Sequence, residues 1–426
     1  MNWYLVAVLA ILLGEWALRT IVDALNVRHV SPVLPSQFEG YCDAAKYRKS
    51  QEYLRENTRF DLVSDTFMTA FLVAAILAGG FNAADGIARS FGLGDIATGL
   101  VFTGLLLLVS NMLHLPFAAY ETFVIEEKYG YNRTTVRTFL LDIVKTWLVA
   151  AAIGGPLLAA VLWFFGRTGS AWLYCWAAVV CVQLFATFIA PVLIMPLFNK
   201  FTPLPAGELR TAIENYAGSQ GFRMKGVFTM DGSKRSGKTN AFFAGFGRFR
   251  RLVLYDTLIA RHTVPELVAV VAHEMGHCKK RHVILSLLLT VCLTGLTLFL
   301  ASFFVNNAGL SEAFGIRRQS VYAGLVFFGF LYAPIMTFVS ILANALSRRW
   351  EFAADGYAVA TSGDRGAMES ALIKLSVDNL SNLTPHPLKV FMDYSHPPIL
   401  RRLAAMRRCG VWECGSEWER GRQGLL

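Results

Sequence analysis

Long apolar runs alternate with polar connections along most of the chain. Seven of these runs are close to the ~20 residues that a helix needs to cross the hydrocarbon layer of a membrane. They lie at about residues 3–26, 64–82, 96–118, 138–165, 171–198, 283–306 and 319–346. The pattern therefore predicts an all-α polytopic membrane protein with about seven transmembrane helices.

Two longer polar regions interrupt this pattern, Lys200 to His282 and Ser347 to Leu426. Both should fold outside the bilayer. They flank the sixth and seventh spans, and two spans return a chain to the membrane face that it left, so the two regions should meet on one face. The expected segments are 1–198 with helices 1–5 and short loops, 199–282, 283–346 with helices 6 and 7, and 347–426.

The composition supports a membrane protein and argues against nucleic-acid binding. Hydrophobic residues make up 54% of the 426 positions and charged residues only 16%, which is too apolar for an ordinary soluble protein. The net charge is +10, but the basic residues are spread over the loops, so no nucleic-acid partner is expected. The opening stretch MNWYLVAVLAILLGEWALRT lacks a basic start and a cleavage site, and we expect it to remain as the first span.

Loops with many lysine and arginine residues alternate with loops that have few, and this alternation predicts the orientation of the chain in the membrane. The first four connections, at 28–63, 83–95, 119–137 and 166–170, carry six, one, three and one of these residues. Cytoplasmic loops carry the basic excess in membrane proteins. The N-terminus should therefore lie outside the cytosol, and both polar regions should lie inside it.

Three charged residues within the first span need a polar environment. Glu15, Arg19 and Asp23 are spaced i, i+4, i+8 and so share one helical face. Burying such groups in hydrocarbon is costly unless they pair or meet water, so they should face the interior of the bundle. An internal stripe of ion pairs and the lining of a wet cavity are both consistent with this spacing.

The strongest chemical signal is the sequence VAHEMGHCKKRH at the end of the first polar region. A helix should begin just before it, because Thr263 and Glu266 are spaced as a capping box. His273 and His277 then share one helical face and could bind one Zn²⁺. Glu274 beside them could act as general base towards water on the metal, whose pKa zinc lowers to roughly 7. The motif predicts a hydrolytic zinc centre.

A catalytic zinc needs a third protein ligand and one open position. The expected ligand is Glu351, in the segment RRWEFAADG that follows the seventh span, and Asp355 could orient a ligating histidine. Cys278 and His282 are alternative ligands by residue type. Cys278 should point about a quarter turn away from the ligand face, and His282 is more typical of an interfacial polar residue.

Several motifs together resemble the integral-membrane CaaX prenyl protease type I family of zinc endopeptidases, which have the gluzincin ligand set. They are IEEKYGYNRTT at 125–135, SKRSGKTNAFFAGFGRFRRLVLYDTL at 233–258, VAHEMGHCKKRH at 271–282, EFAADGYA at 351–358 and YSHPP at 394–398. The resemblance implies a chamber within seven helices and a zinc metalloprotease domain on the cytosolic side. It also implies removal of the C-terminal tripeptide that follows a prenylated cysteine.

The resemblance implies roles for individual residues as well. Zinc would be bound, one ion per chain, by the two HEMGH histidines and Glu351, with Glu274 as catalytic base and acid. Asn240 and His396 would contact the substrate backbone or the tetrahedral intermediate. One departure is Lys238, where many relatives carry a histidine, and the small loops resemble the bacterial branch, in which the substrate could be another membrane-associated peptide.

The expected location is a bacterial inner membrane, or the endoplasmic reticulum membrane in a eukaryote, with the active site facing the cytosol and the bilayer as a partner.

Three other functions fit parts of the pattern. A heat-shock-type quality-control protease shares the zinc arrangement but usually has fewer spans. A site-2-type protease buries its HExxH within a span, whereas charged CKKRH follows the motif here. A seven-span transporter with an accidental HExxH explains only the hydropathy.

Overall fold

The computed structural model describes residues 2–245 and 250–408. Within these ranges seven helical segments are long and apolar enough to cross a membrane, as the hydropathy pattern predicts. They are Trp3–His29, Ala44–Leu77, Asp95–Tyr129, Val136–Phe165, Ala171–Phe198, His282–Phe304 and Val321–Ser362. Part of the second motif, 246–249, and the end of the second polar region, 409–426, lie outside the described residues.

The described residues form helices joined by short connections, together with four strands. The helices are α1 (Trp3–His29), α2 (Ala44–Leu77), α3 (Gly80–Ser90), α4 (Asp95–Tyr120), α5 (Glu127–Tyr129), α6 (Val136–Phe165), α7 (Ala171–Leu193), α8 (Met195–Phe198), α9 (Glu208–Ser219), α10 (Asp256–Ile259), α11 (Val264–Lys279), α12 (His282–Phe304), α13 (Ala308–Ala313), α14 (Val321–Ser362), α15 (Arg365–Asp378), α16 (Pro387–Asp393) and α17 (Ile399–Arg408). A π-helical turn, Glu121–Glu126, separates α4 from α5. The strands are β1 (Phe201–Pro203), β2 (Gly226–Met230), β3 (Ala241–Ala244) and β4 (Arg251–Tyr255).

The second span differs from its predicted limits. Helix α2 begins well before the apolar run, at Ala44, where the side chain of Asp43 caps it by accepting from a backbone N–H. Its first half carries many polar residues, so hydropathy alone does not detect it. The helix ends before Gly79, whose φ of +76° is a left-handed conformation that glycine adopts without strain.

The seventh span continues far beyond its predicted limit. Helix α14 is 42 residues long, and Glu351 and Asp355 lie in its last third. Hydropathy marks only the apolar part of this helix, because charged residues begin at Arg348. A single helix therefore leads from the membrane-spanning part of the chain to the expected ligand.

The first polar region contains a small sheet that neither hydropathy nor the motifs predict. Its strand order is β1-β2-β4-β3, with β2 and β4 parallel and the other two pairs antiparallel. The strands have three to five residues, too few for a clear alternation of apolar and polar positions. Strand β3 lies at an edge of this sheet, and the chain as a whole remains mostly helical, as predicted.

Helices α11 and α14 pack closely beside the sheet. They approach most tightly at Gly276, where a Cβ atom would lie only 3.0 Å from the Cα of Ala354. Leu267, Val271 and Met275 of α11 are almost completely buried in the surrounding core. The close approach brings the HEMGH segment against the end of the seventh span.

Glu266 fixes the start of α11 and gives a pH-dependent prediction. The capping box is present, and the buried carboxylate also accepts from Lys374 and Ser370. Burial opposes ionisation, but these bonds outweigh it and lower the pKa of Glu266 to about 2. The carboxylate therefore stabilises the fold above pH ~4.5, the pKa of an ordinary glutamate, and this contribution disappears as the pH falls towards 2.

We expect Glu266→Gln to lower stability at pH 7 by about 2–3 kcal/mol, since the charged acceptor is lost. Thermal unfolding in detergent at pH 7 and pH 3.5 would measure this, and the difference from the wild type should shrink at the lower pH. Asp364→Asn is the matched control, because Asp364 caps α15 but is exposed. A loss that is equal at both pH values would contradict the role of the ionised carboxylate.

Candidate metal centre and active site

Three side chains from two helices converge at the junction of α11 and α14. The Nε2 atoms of His273 and His277 are 3.2 Å apart, and each lies near a carboxylate oxygen of Glu351, at 3.5 and 3.3 Å. Zinc binds such atoms at about 2.0–2.2 Å, so ligand atoms on a tetrahedron around it are about 3.3–3.5 Å apart. The three groups are thus spaced as ligands of one ion.

The buried polar atoms of this cluster also fit a cation. Among the described residues, Oε2 of Glu351 is one of few buried side-chain atoms that lack a hydrogen-bond partner. Burial disfavours the charged form of His273, but the neighbouring carboxylates of Asp355 and Glu351 outweigh burial and raise its pKa to about 9. The carboxylates of Glu351 and Asp355 that cause this shift would also favour a divalent cation at the site.

The second ring nitrogen of His273 is held by Asp355, the residue expected to orient a ligating histidine. Nδ1 of His273 lies 2.9 Å from Oδ1 of Asp355, which is almost completely buried. A carboxylate in this position fixes the tautomer and orientation of a ligating histidine. Asp355 is held in turn by Arg402, which donates to its two oxygens at 2.6 and 2.8 Å.

Arg402 was not identified from the sequence, although a signal was present. It is buried and also lies 3.4 Å from Glu351, so one guanidinium faces both carboxylates of α14. On α17 the buried positions are Ile399, Arg402, Leu403 and Met406, which follow the i, i+3, i+4, i+7 pattern of an apolar face. A charged residue within such a face requires a buried partner, and this was the available signal.

The two alternative ligands do not join the cluster. Cys278 packs partly buried against the core, and burial raises the pKa of its thiol to about 11. His282 differs from the interfacial position expected from the sequence, because it is buried. Its ring stacks on Trp350 and its Nδ1 lies 3.1 Å from Nδ1 of His277, on the side away from Glu351.

Glu274 lies next to the three candidate ligands and is partly exposed. Burial raises the pKa of its carboxyl above the usual range, and the neighbouring imidazoles of His273 and His277 partly oppose the shift. The charges of His273, His277 and Glu351 all act on this carboxyl, so it lies close to the cluster. This is a suitable position for accepting a proton from water.

His396 contacts the cluster directly, whereas Asn240 lies beside strand β3, which shares a buried core with α11. Nε2 of His396 lies 3.4 Å from Glu351, and its side chain is 65% exposed, so it can still face another molecule. Asn240 is exposed and directly precedes edge strand β3. Its side-chain oxygen accepts from Ala241 N–H and its carbonyl accepts from Tyr255 N–H. An extended peptide could pair with a strand edge at this place.

Side chains that are distant in sequence hold the segments that carry Asn240 and His396. Asn379 accepts from Thr239 N–H at 3.1 Å and donates to its carbonyl at 3.4 Å, immediately before Asn240. Arg348 on α14 donates to the carbonyls of Val390 and Tyr394, just before His396. No local pattern reveals these contacts, because both cross more than forty positions of the sequence.

The charged stripe of the first span is partly satisfied by other helices. Asp23 pairs with Lys389 of α16, and Thr337 of α14 donates to Glu15 at 3.1 Å. Arg19 is exposed. An ion pair thus accounts for Asp23, and the lining of a wet cavity by the stripe stays a prediction.

Comparison with known families agrees with this geometry. Residues 23–200 match the family described as CAAX prenyl protease N-terminal, five membrane helices. Residues 203–409 match Peptidase family M48. The two matches cover the helical bundle and the part of the chain with the candidate ligands, and they exclude a transporter with an accidental HExxH.

Individual relatives match along nearly the whole chain. A CAAX prenyl protease 1 homolog from Oryza sativa is 34% identical over 95% of this chain and 97% of its own length. CAAX prenyl protease 1 from Saccharomyces cerevisiae is 33% identical over 88% of each chain. The crystal structure of S. mikatae Ste24p superposes with a TM-score of 0.90 at 31% identity, covering 95% of this chain and 99% of the other.

The family resemblance predicted from the sequence motifs is therefore confirmed, as is the helical fold with seven spans. The chain belongs to peptidase family M48, and it is a membrane zinc metalloprotease of the CAAX prenyl protease 1 type.

Proposed function

We propose that the protein hydrolyses peptide bonds at one zinc ion held by His273, His277 and Glu351. The observation that carries this proposal is the spacing of their ligand atoms, all of which lie within 4.8 Å of one another. Three protein ligands leave a fourth position of a tetrahedral ion open, which is typical of catalytic zinc. When bound, the ion supplies a Lewis acid that polarises a carbonyl and lowers the pKa of water.

Other residues of this chain have the remaining roles in catalysis. Glu274 takes the proton of the attacking water as general base and returns it to the leaving amine as general acid. Asp355 holds Nδ1 of His273, and Arg402 holds Asp355, so the first histidine keeps its orientation. His396 would donate a hydrogen bond to the developing oxyanion.

Asn240 gives the substrate its direction. Because Asn240 is exposed and directly precedes edge strand β3, its amide and the strand edge together would align an extended peptide by main-chain hydrogen bonds. The clamp of Asn379 on Thr239 supports this alignment by keeping the start of the strand fixed.

The proposed substrate is a prenylated C-terminal peptide, cut so that the last three residues leave. The names of the relatives, CAAX prenyl protease 1, support this class. The location supports it too, because α11 leads into α12 and Glu351 lies on the continuation of a span. A lipid-modified chain end held in the bilayer would reach such a site without leaving the membrane.

We also propose that the site faces the cytosol. The alternation of basic residues among the connecting loops supports this orientation. Two spans separate the two polar regions, which would put both on the same membrane face. The membrane would be the inner membrane of a bacterium, or the endoplasmic reticulum in a eukaryote.

The test is mass spectrometry of a farnesylated CaaX peptide incubated with the detergent-purified protein. We expect loss of the last three residues, inhibition by a zinc chelator, and recovery when zinc is added back. The same peptide without the farnesyl group is the matched control. Equal cleavage of both peptides would contradict the prenyl preference alone, whereas no cleavage by zinc-loaded protein, or cleavage that resists the chelator, would contradict the proposed activity.

A further inference from the structure

The two histidines of the HEMGH segment differ in what holds their second ring nitrogen. Nδ1 of His273 meets a carboxylate, that of Asp355. Nδ1 of His277 meets another imidazole, with 3.1 Å between it and Nδ1 of His282. Since Nε2 of His277 faces Glu351 at 3.3 Å, its two nitrogens point to different partners.

His282 reaches this position only because the chain turns sharply before it. On a continuous helix a residue five positions after His277 would lie about 140° around the axis and could not meet its ring. Helix α11 ends at Lys279. Arg281 then has φ +59° and ψ +27°, a left-handed backbone conformation that is unfavourable for residues other than glycine. The turn brings His282, the first residue of α12, back over His277.

The ring of His282 is fixed on its other face as well. It stacks on Trp350, with 5.1 Å between the ring centroids and an angle of 10° between the planes. Trp350 directly precedes Glu351 on α14, so the stack ties His282 to the helix that carries the third candidate ligand. The side chain of His282 is buried, and its Nδ1 points to His277 and not to the three ligand atoms.

We propose that His282 is a positioning residue of the metal centre, which accepts a hydrogen bond from Nδ1–H of His277 and so directs the Nε2 lone pair of His277 to the zinc. The proposal rests on the zinc site proposed above. It assigns to His282 the task that Asp355 performs for His273, with a neutral acceptor in place of a carboxylate. The strained turn at Arg281 then has a function, since it places this acceptor.

Zinc affinity of the detergent-purified protein, measured by competition with a chromophoric chelator, tests this role without relying on activity. We expect His282→Phe, which keeps the stack on Trp350 but has no acceptor, to weaken zinc binding by about 10–100-fold. His282→Asn restores an oxygen acceptor and should recover most of that loss. His262→Phe is the matched control, because His262 is also buried but contacts Leu258 and none of the ligands.

The turn provides a second, independent pair of variants. Arg281→Gly should keep the wild-type affinity, because glycine adopts the left-handed conformation without strain. Arg281→Val should weaken it, since a β-branched residue is strongly disfavoured there. Equal zinc affinity in His282→Phe and the wild type, or an equal loss in His262→Phe, would overturn the proposal. A wild-type protein that binds no zinc would instead contradict the proposed function itself.

Discussion

Glu274→Gln is expected to remove peptide hydrolysis almost completely while the protein keeps its full zinc content. Glutamine has the same shape but cannot accept the proton of the attacking water, and general base catalysis contributes about 10²–10⁴-fold to the rate. Its neighbours His273 and His277 keep their own partners, so the metal centre should stay assembled. Turnover of the farnesylated peptide and the zinc-to-protein ratio, measured on the same preparation, would check both parts.

Glu266→Gln is the matched control for this prediction. It is the same substitution on the same helix, and it affects the start of α11 instead of the site. Below its unfolding temperature this variant should retain near-normal turnover. If Glu274→Gln retained comparable turnover with zinc bound, Glu274 would not be the general base and the proposed mechanism would fail.

Arg402→Met should cause the largest loss of stability among single changes around the site. It leaves the buried carboxylate of Asp355 without the guanidinium that pairs with both of its oxygens. Removing one partner of a buried ion pair typically costs about 3–5 kcal/mol, because an uncompensated charge remains. We expect the unfolding temperature in detergent to fall by roughly 5–15 °C, as for other losses of this size.

Arg407→Met on the same helix is the control that distinguishes the effect of burial on stability from the effect of losing a charge. Arg407 also pairs with a carboxylate, that of Glu369, but it is largely exposed, and exposed pairs contribute about 1 kcal/mol or less. Zinc should partly rescue Arg402→Met but not Arg407→Met, since the ion supplies positive charge near Asp355. Equal destabilisation by the two changes would show that Arg402 does not hold the carboxylates of the metal centre.

The elements that the sequence predicts are those encoded by regular spacing. The seven spans follow from hydropathy, and the shared face of His273 and His277 follows from the period of a helix. Glu351 and Asp355 could be predicted because they are also four positions apart. Their convergence with the HEMGH helix follows from a hairpin of two spans.

The residues that the sequence did not reveal depend on contacts between distant segments. Asn379 clamps Thr239 across 140 positions, and Arg402 reaches Asp355 from a separate helix. His282 was considered only as an alternative ligand or an interfacial residue. Its contact with His277 was not predicted, since helical periodicity places the two apart and only the left-handed Arg281 brings them together. Strands of a few residues do not show enough alternation to be recognised before their neighbours are known.

The close packing of α11 against α14 at Gly276 has a mechanical consequence. Helix α11 leads into the sixth span, and α14 is the seventh span with its continuation. A bilayer that is too thick or too thin for these spans will tilt them, and the two packed helices will then move together. The proposed zinc ligands then keep their mutual distances, and edge strand β3, which shares the buried core of α11, should move with them. Lipid thickness should thus change the position of the whole site relative to the bilayer, and with it the access of a membrane-held peptide, and leave the affinity for the metal nearly constant.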